Sequence, residues 1–218
     1  MQTYPVSLVL EGSVAVVVGG GSVATRKVEG LLPTGATVVV VSPDVSAQLA
    51  AHIQAGRCAW RAQAYEASNL DDADIVFVAT DDEAVNAQVH ADACAAHLPV
   101  NVADRPELCT FFLPSVLRRG KLTIAVSTEG ASPLTARRLR SELEERIPAG
   151  FEAYLDLLAA WRPRAIAALP DEPARLRFWQ QATDGRVQRL VQAADEEAAE
   201  RLLEELLEDE RAACATLL

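Results

Sequence analysis

Residues 14–24, VAVVVGGGSVA, place three consecutive glycines between a β-branched run and a helix-like segment. Val14–Val18 is typical of a strand buried on both faces, and residues 23–32 have apolar side chains at helical spacing. Glycine loses more backbone entropy on folding than any other residue, so three in a row need a physical reason. We interpret that reason as a bound phosphate.

The glycine loop fits the pattern G-x-G-x-x-G/A of dinucleotide-binding proteins. In this pattern Gly19 permits the tight turn, Gly21 lets the backbone approach a pyrophosphate, and Ala24 keeps helix and strand close. The helix N-terminus adds free N–H groups and the positive end of a dipole. A glycine turn without a ligand is the alternative. Because the loop follows the first strand of an α/β series, we predict a dinucleotide site.

Strands and helices alternate through the first half of the chain. Short apolar runs predict further strands at 37–41, 58–62, 75–79 and 100–102, with helices at 45–55 and 83–97 between them. Such alternation implies parallel pairing and right-handed crossovers. We therefore predict an α/β fold with a Rossmann-like doubly wound parallel sheet.

The pattern changes after about Asp104. Phe111–Leu113 and Leu122–Ser127 predict two strands joined by a basic turn, and Ser132-Pro133 predicts the start of a helix. The remainder reads as helical. The sequence thus predicts three parts: a dinucleotide-binding domain over 1–112, an α+β segment over 113–147 and a helical C-terminal domain over 148–218.

The end of the second strand indicates which dinucleotide binds. An acidic residue there would bind the ribose of NAD, whereas an arginine would pair with the extra phosphate of NADP. Pro43 and Asp44 follow this strand, and no basic residue occurs before Arg57. Asp44 either binds the ribose or caps the next helix. The absence of a basic group favours NAD in both cases.

Composition excludes several classes of protein. The chain has 218 residues, 50% of them hydrophobic, and a net charge of −11, which argues against broad nucleic-acid binding. No run approaches the ~20 apolar residues of a membrane span, and the N-terminal residues do not resemble a signal peptide. The four cysteines are far apart and the three histidines form no cluster, so we expect no bound metal and a cytoplasmic location.

The charge is unevenly distributed. Residues 105–140 contain seven basic side chains and only two acidic ones, Glu107 and Glu129. A positive island in an acidic protein is where an anionic ligand would bind. Solvated surface charges are the alternative for any single arginine.

Four stretches together resemble the precorrin-2 dehydrogenase module of siroheme synthases. They are GGGSVATRK at 19–27, ATDD at 79–82, NVADRPELCTFFLPS at 101–115 and IAVSTEGASPLTARRLR at 124–140. The resemblance extends over about residues 3–195 and implies NAD-dependent oxidation of precorrin-2 to sirohydrochlorin in siroheme biosynthesis. It also implies a homodimer formed through segment 113–147 and a helical region that helps to close the site. Some members also insert iron(II) as ferrochelatases, which the sequence leaves open, and the fused methyltransferase domain of longer siroheme synthases is expected to be absent.

Matching motif to motif, the resemblance implies site residues. Asp104 corresponds to the family's catalytic aspartate, although Asp-Arg-Pro is also typical of a turn. Thr128 stands where the family often has serine. The implied cofactor-binding residues are Gly19, Gly21, Ser22, Val23, Ala24, Pro43, Asp44, Thr80, Asn101 and Val102, and the implied substrate-binding residues are Arg105, Thr128, Ser132, Arg137 and Arg138.

The implied chemistry is physically consistent with these positions. Oxidation of the macrocycle sends a hydride to nicotinamide and a proton to a base, and Asp104 follows a parallel strand where such ligands bind. The eight carboxylates of precorrin-2 give the positive island a purpose, since arginine pairs well with carboxylate. Two alternatives are a non-catalytic NAD-sensing module and a scaffold that assembles through its C-terminal helices.

Overall fold

The computed structural model describes residues 2–216, which form two compact units divided between Leu113 and Pro114. The first unit contains five strands and three α-helices. They are β1 (Val14–Val18), α1 (Ser22–Leu31), β2 (Thr37–Val41), α2 (Ala47–Gln54), β3 (Ala59–Arg61), β4 (Ile75–Val78), α3 (Glu83–Ala95) and β5 (Val100–Val102). Short 3₁₀ turns lie at Leu32–Thr34, Ala67–Leu70 and Pro106–Leu108.

All five strands pair in parallel, in the order β3-β2-β1-β4-β5. The side chains of β1 alternate between two separate cores: Val16 and Val18 pack on one face of the sheet, Ala15 and Val17 on the other. A strand buried on both faces needs helices on both sides, which explains its unbroken β-branched run. The predicted doubly wound α/β fold is confirmed.

One predicted strand is wrong. Phe111–Leu113 is not a strand, because Phe111 is fixed in other contacts. Its ring packs edge-on against Phe77 at 5.5 Å between centroids, and its carbonyl accepts a hydrogen bond from the Asn101 side chain. The strand that pairs with the second predicted one begins only after Pro114, which has no N–H to donate.

The second unit begins with that antiparallel pair, β6 (Ser115–Arg119) and β7 (Leu122–Val126). Helix α4 (Pro133–Arg146) packs against both strands. The predicted start of α4 is confirmed: Ser132 is the N-cap, its hydroxyl accepts from the Thr135 N–H at 3.2 Å, and Pro133 is the first helical residue.

Four helices complete the second unit. They are α5 (Phe151–Ala168), α6 (Glu172–Ala182), α7 (Arg186–Gln192) and α8 (Glu196–Thr216). Trp161 and Phe178 are fully buried at the centre of their core. Helices α7 and α8 are separate, because Ala194 between them has a φ of +57°, which is incompatible with a continuous right-handed helix. None of the helices in residues 2–216 is both long and apolar enough to cross a membrane.

Candidate dinucleotide site and pocket

A pocket of about 200 Å³ opens at the carboxyl edge of the parallel sheet. It is lined by the start of α1, the loop after β4, the first turns of α3 and the loop after β5. Strand order reverses between β1 and β4, since β2 and β3 extend to one side and β5 to the other. Ligands of open α/β sheets bind at such a reversal.

The glycine loop is shaped by two close approaches. Gly19 has a φ of +121°, and a Cβ on it would be 2.2 Å from the Ala79 carbonyl oxygen. A Cβ on Gly20 would be 1.8 Å from the Asp44 carbonyl oxygen, a constraint that the fingerprint did not indicate. Gly21 differs, because nothing lies within 4 Å of its Cβ position. The space beside Gly21 is therefore a cradle that a side chain would fill.

The N-terminus of α1 faces this cradle. Gly21 is its N-cap and supplies no side-chain acceptor, and the first turn contains no acidic residue. The first N–H groups of a helix have no intrahelical partner, so they suit an anion here. Ser22, Val23 and Ala24 form this first turn, and Val23 also lines the pocket. The loop thus fits the pyrophosphate of a dinucleotide.

The structure resolves one alternative at the end of β2. The cap of α2 is Ser46, whose hydroxyl accepts from the Leu49 N–H at 3.2 Å, so Asp44 is not the cap. The Asp44 side chain is exposed and has no hydrogen-bond partner in residues 2–216. Pro43 is exposed beside it. Their contact with a ribose stays a prediction.

A basic residue that sequence reasoning missed also lies at this edge. Arg61 ends β3 and is the register partner of Val41. Its guanidinium donates to the Asn69 carbonyl at 3.4 Å. Arg61 is thus a second basic residue, after Arg57, that follows the end of β2, and its guanidinium contacts the main chain of Asn69.

Asp104 lies in the pocket wall directly after β5. Its φ is +57°, a left-handed conformation that aspartate tolerates better than most residues but that still costs free energy. Its carboxylate is exposed and has no partner within the described residues. A carboxylate with free lone pairs at this position can accept a proton from a bound ligand.

Thr80 and Asn86 also line the pocket. Asn86 is 5% exposed and donates to the Thr80 carbonyl at 3.1 Å, while its Oδ1 is buried without a partner in residues 2–216. The Thr80 hydroxyl accepts from the Asp82 N–H at 2.8 Å. Asn86 was not predicted, because an asparagine one turn into a helix carries no motif.

Asn101 and Val102 are buried on β5 and are not part of the pocket lining. The side-chain Oδ1 of Asn101 accepts from the Lys27 ammonium at 2.9 Å, and its Nδ2 donates to the Phe111 carbonyl at 3.0 Å. Burial lowers the pKa of Lys27 and neighbouring Arg26 adds to this, whereas Cys109, when its thiol is ionised, and the Asp104 carboxylate partly oppose the shift. Lys27 is 74 positions from Asn101 in the chain, so no local pattern indicates that the two are in contact.

Most of the positive island is paired. Ion pairs form between Arg105 and Glu83 and Glu107, Arg119 and Glu144, Lys121 and Asp156, Arg138 and Glu142, and Arg140 and Glu144. Within the described residues only Arg118 and Arg137 of the seven lack an acidic partner. The net charge of the stretch therefore overstates the free cationic surface.

The remaining predicted substrate residues belong to the second unit. The Thr128 hydroxyl accepts from the Ser132 N–H at 3.1 Å, so both residues shape the turn before α4. Arg137 is exposed on α4 without an ion pair in the described chain, whereas Arg138 is held by Glu142 at 2.8 Å. Of the predicted site residues, the pocket brings together Val23, Thr80, Asp104 and Arg105. It adds the unpredicted residues Ala79, Asp81, Glu83, Asn86 and Ala103.

The fold and this loop define a Rossmann-type dinucleotide-binding protein. A family model of NAD(P)-binding domains matches residues 6–115. Models of the sirohaem biosynthesis protein central region and of the sirohaem synthase dimerisation region match residues 119–146 and 154–207. The chain belongs to the family of NAD(P)-binding siroheme-biosynthesis proteins, and the resemblance found in its motifs is confirmed. The prediction of a nicotinamide dinucleotide cofactor is confirmed with it.

Individual relatives agree with this assignment. The chain is 39% identical over 207 residues to a siroheme synthase of Methylobacillus flagellatus, covering 95% of this chain and 44% of that protein. It is 39% identical over 208 residues to a siroheme synthase of Pseudomonas entomophila, covering 95% and 45%. The chain thus spans less than half the length of these curated relatives. The solved structure of SirC, a precorrin-2 dehydrogenase, matches with a TM-score of 0.78 and 28% identity, over 93% of this chain and 100% of SirC.

Proposed function

We propose that this chain catalyses the NAD-dependent dehydrogenation of precorrin-2 to sirohydrochlorin. One observation carries the proposal: the carboxylate of Asp104 and the glycine-loop residue Val23 line the same pocket, at the strand-order reversal of the sheet. The match to SirC over its whole length supports the substrate. The relatives are named for siroheme synthesis, and nothing in them supports a regulatory NAD-sensing module.

The residues divide the chemistry between them. The loop around Gly21 and the N-terminus of α1 bind the pyrophosphate, and Asp44 binds the adenosine ribose. NAD, when bound, accepts the hydride. Asp104 receives the proton that leaves the macrocycle, because it lines the pocket and its exposed carboxylate has no competing partner in the described residues. Arg137 and Arg118 neutralise carboxylates of the substrate.

The direct test mixes the protein with precorrin-2 and NAD and follows NADH by its fluorescence. We expect NADH and sirohydrochlorin to form in equal amounts. Binding of NAD without any NADH formation would refute the activity and support a sensor instead.

Iron(II) insertion remains an independent prediction. Within residues 2–216 there is no group of three or more His, Cys, Asp or Glu side chains that could hold a metal. A chelatase needs only a transient position for its metal substrate, and Asp104 is the base available to take the pyrrole protons. Incubating sirohydrochlorin with the protein and iron(II) or cobalt(II), against a protein-free control, tests this activity.

We also propose that the protein is a homodimer of the cytoplasm. The family model for the dimerisation region matches residues 154–207. This region lies C-terminal to the segment 113–147 that the resemblance implied, and the two do not overlap. Sedimentation analysis of the chain is the test of its assembly, and a monomer at micromolar concentration would contradict it.

A further inference from the structure

We propose that Lys27 is a positioning residue for Asp104, acting through Asn101 and Cys109. This inference rests on the proposed function, because it assigns a part in the same reaction to a residue outside the pocket lining. Two hydrogen-bonded steps connect the helix that begins at the glycine loop with the turn that carries Asp104, and a third observation concerns the conformation of Asp104 itself.

The first step joins α1 to β5. The Lys27 ammonium donates to Asn101 Oδ1 at 2.9 Å. Asn101 is 6% exposed, and its Nδ2 faces two acceptors, the Phe111 carbonyl at 3.0 Å and Cys109 Sγ at 3.6 Å. Because a cation lies on one side of the amide and acceptors on the other, only one orientation of this side chain satisfies all three contacts.

The second step joins Asn101 to the turn. Cys109 Sγ accepts from the Val102 N–H at 3.2 Å and lies 3.2 Å from the Val102 carbonyl and 3.3 Å from the Arg105 carbonyl, either of which can receive its thiol proton. These contacts join Cys109 at the end of the segment 102–109 to the main chain of Val102 at its start. Asp104 lies inside that segment.

The third observation concerns the conformation of Asp104. A non-glycine residue with a φ of +57° persists only where its surroundings impose it. The described residues give the Asp104 side chain no hydrogen bond of its own. The turn is held by the Cys109 contacts at Val102 and Arg105 together with the main-chain bonds from the Ala103 N–H to the Val78 carbonyl at 2.9 Å and from the Arg105 N–H to the Val102 carbonyl at 3.4 Å. Whatever fixes Cys109 therefore restrains the main chain from which the Asp104 carboxylate extends.

The charge of Lys27 points to more than packing. Taking an ammonium group out of water costs free energy, and an apolar side chain of similar length would fill the space without that cost. The field of Lys27 reaches both Cys109 and Asp104. The cation thus orients the Asn101 amide and stays within electrostatic range of the carboxylate that takes the proton.

The experiment compares Lys27→Met with Lys27→Arg, each alone and combined with Asp104→Asn. We expect Lys27→Met to lower kcat about tenfold while the dissociation constant of NAD, measured by calorimetry, changes less than about twofold. Lys27→Arg restores most of kcat because it keeps the charge and the donor. In the Asp104→Asn background Lys27→Met has no further effect, since both changes act on one group.

A second pair keeps the test valid where a Lys27 variant fails to fold. Cys109→Ala removes the sulfur contacts, whereas Cys109→Ser keeps a donor and an acceptor, so we expect serine to retain more of kcat than alanine at equal NAD affinity. A readout independent of turnover is the alkylation rate of Cys109, followed by peptide mass spectrometry. Lys27→Met should speed it, because the loosened turn exposes the sulfur, whereas loss of the Lys27 charge alone would slow it, since that charge lowers the pKa of this thiol.

Three outcomes overturn the inference: an unchanged kcat in Lys27→Met, a loss that adds to that of Asp104→Asn, or NAD binding weakened about tenfold. The last would make Lys27 a cofactor ligand. Failure of the proposed function looks different, since the unmodified protein would then form no NADH from precorrin-2. In that case alkylation of Cys109 still reports whether Lys27 controls the turn.

Discussion

The main chain of Gly20 lies against that of Asp44, so that a Cβ on Gly20 would be 1.8 Å from the Asp44 carbonyl oxygen. The N–H of Ser46, two residues after Asp44, donates to the Gly20 carbonyl at 2.8 Å. The middle glycine of the triplet is therefore required by the fold, whereas Gly21 beside it faces open space. The two adjacent residues have different reasons to be glycine.

This difference predicts that alanine will affect a different property at each position: stability at Gly20 and NAD binding at Gly21. Gly20→Ala should lower the free energy of unfolding by about 2 kcal/mol or more, because backbone must move away from the new Cβ. Gly21→Ala has a permitted φ of −80° and should cost less than about 1 kcal/mol, yet weaken NAD binding about tenfold by filling the cradle. Denaturant unfolding and calorimetry measure both quantities. If Gly21→Ala lost as much free energy of unfolding as free energy of NAD binding, the weaker binding would reflect a disturbed fold. That result would contradict a binding role for the space beside Gly21.

Asp104 can be tested without disturbing its turn. Asparagine adopts the left-handed conformation readily, so Asp104→Asn should keep the free energy of unfolding within about 0.5 kcal/mol. Without a carboxylate to take the proton, we expect the oxidation rate to fall about a hundredfold or more at unchanged NAD affinity. Stopped-flow measurement of NADH formation gives the rate, with the exposed Asp72→Asn as control. Normal turnover in Asp104→Asn would remove Asp104 from the mechanism.

Asp44 offers a test of cofactor choice. Its side chain is exposed beside the glycine loop and does not cap α2. Asp44→Asn should weaken NAD binding about tenfold and leave NADP binding nearly unchanged, because only the free ribose hydroxyl of NAD is bound by the carboxylate. Calorimetric titration of one variant with both dinucleotides provides its own control. A parallel loss for NAD and NADP would argue against a ribose contact.

The sequence predicted those features that neighbouring residues determine. The β-branched run before Gly19 and the Ser132-Pro133 cap are local signals, and the structure contains both elements. Lys27 escaped prediction because Asn101 is 74 positions away and only the fold brings them together. The misplaced strand at 111–113 has the same cause, since Phe111 is fixed by Phe77 and Asn101.

The positive island was overstated for a related reason. Two of its ion pairs, Arg138–Glu142 and Arg140–Glu144, follow the four-residue spacing of a helix and are readable from the sequence beyond residue 140. The pair between Lys121 and Asp156 is not, because it joins a strand turn to another helix. Counting charges along the chain cannot count the partners that folding supplies.

Arg137 is the cation of α4 that we expect to matter for the substrate. It is exposed and has no acidic partner within the described residues, unlike Arg138 beside it. Arg137→Gln should raise the KM for precorrin-2 about fivefold to tenfold with little change in kcat, because the lost contact is to a substrate carboxylate. Arg162→Gln, at another exposed arginine without an ion pair in residues 2–216, is the matched control. Equal effects at both positions would indicate a general charge effect instead.

We expect Tyr65 to influence stability at alkaline pH. Its hydroxyl donates to Asp92 Oδ2 at 3.0 Å, and burial together with that carboxylate raises the pKa of Tyr65. A group whose pKa is raised by folding stabilises the native state below its unfolded pKa of about 10, and this stabilisation is lost as pH rises through the folded value. Burial raises the pKa of Cys58 and Cys109 with the same sign, whereas the lowered pKa of Lys27 opposes them.

We therefore expect the free energy of unfolding of the first unit to fall as the pH rises above about 9, and to fall less steeply in Tyr65→Phe above about pH 10. Phenylalanine keeps the ring packing but has no proton to lose, so the variant is less stable near pH 8 and gains relative to the unmodified protein as pH rises. Urea unfolding at several pH values measures the slope. Tyr4→Phe, at a tyrosine 88% exposed, should leave the slope unchanged. An identical slope in Tyr65→Phe and the unmodified protein would show that the Tyr65–Asp92 contact does not govern the alkaline response.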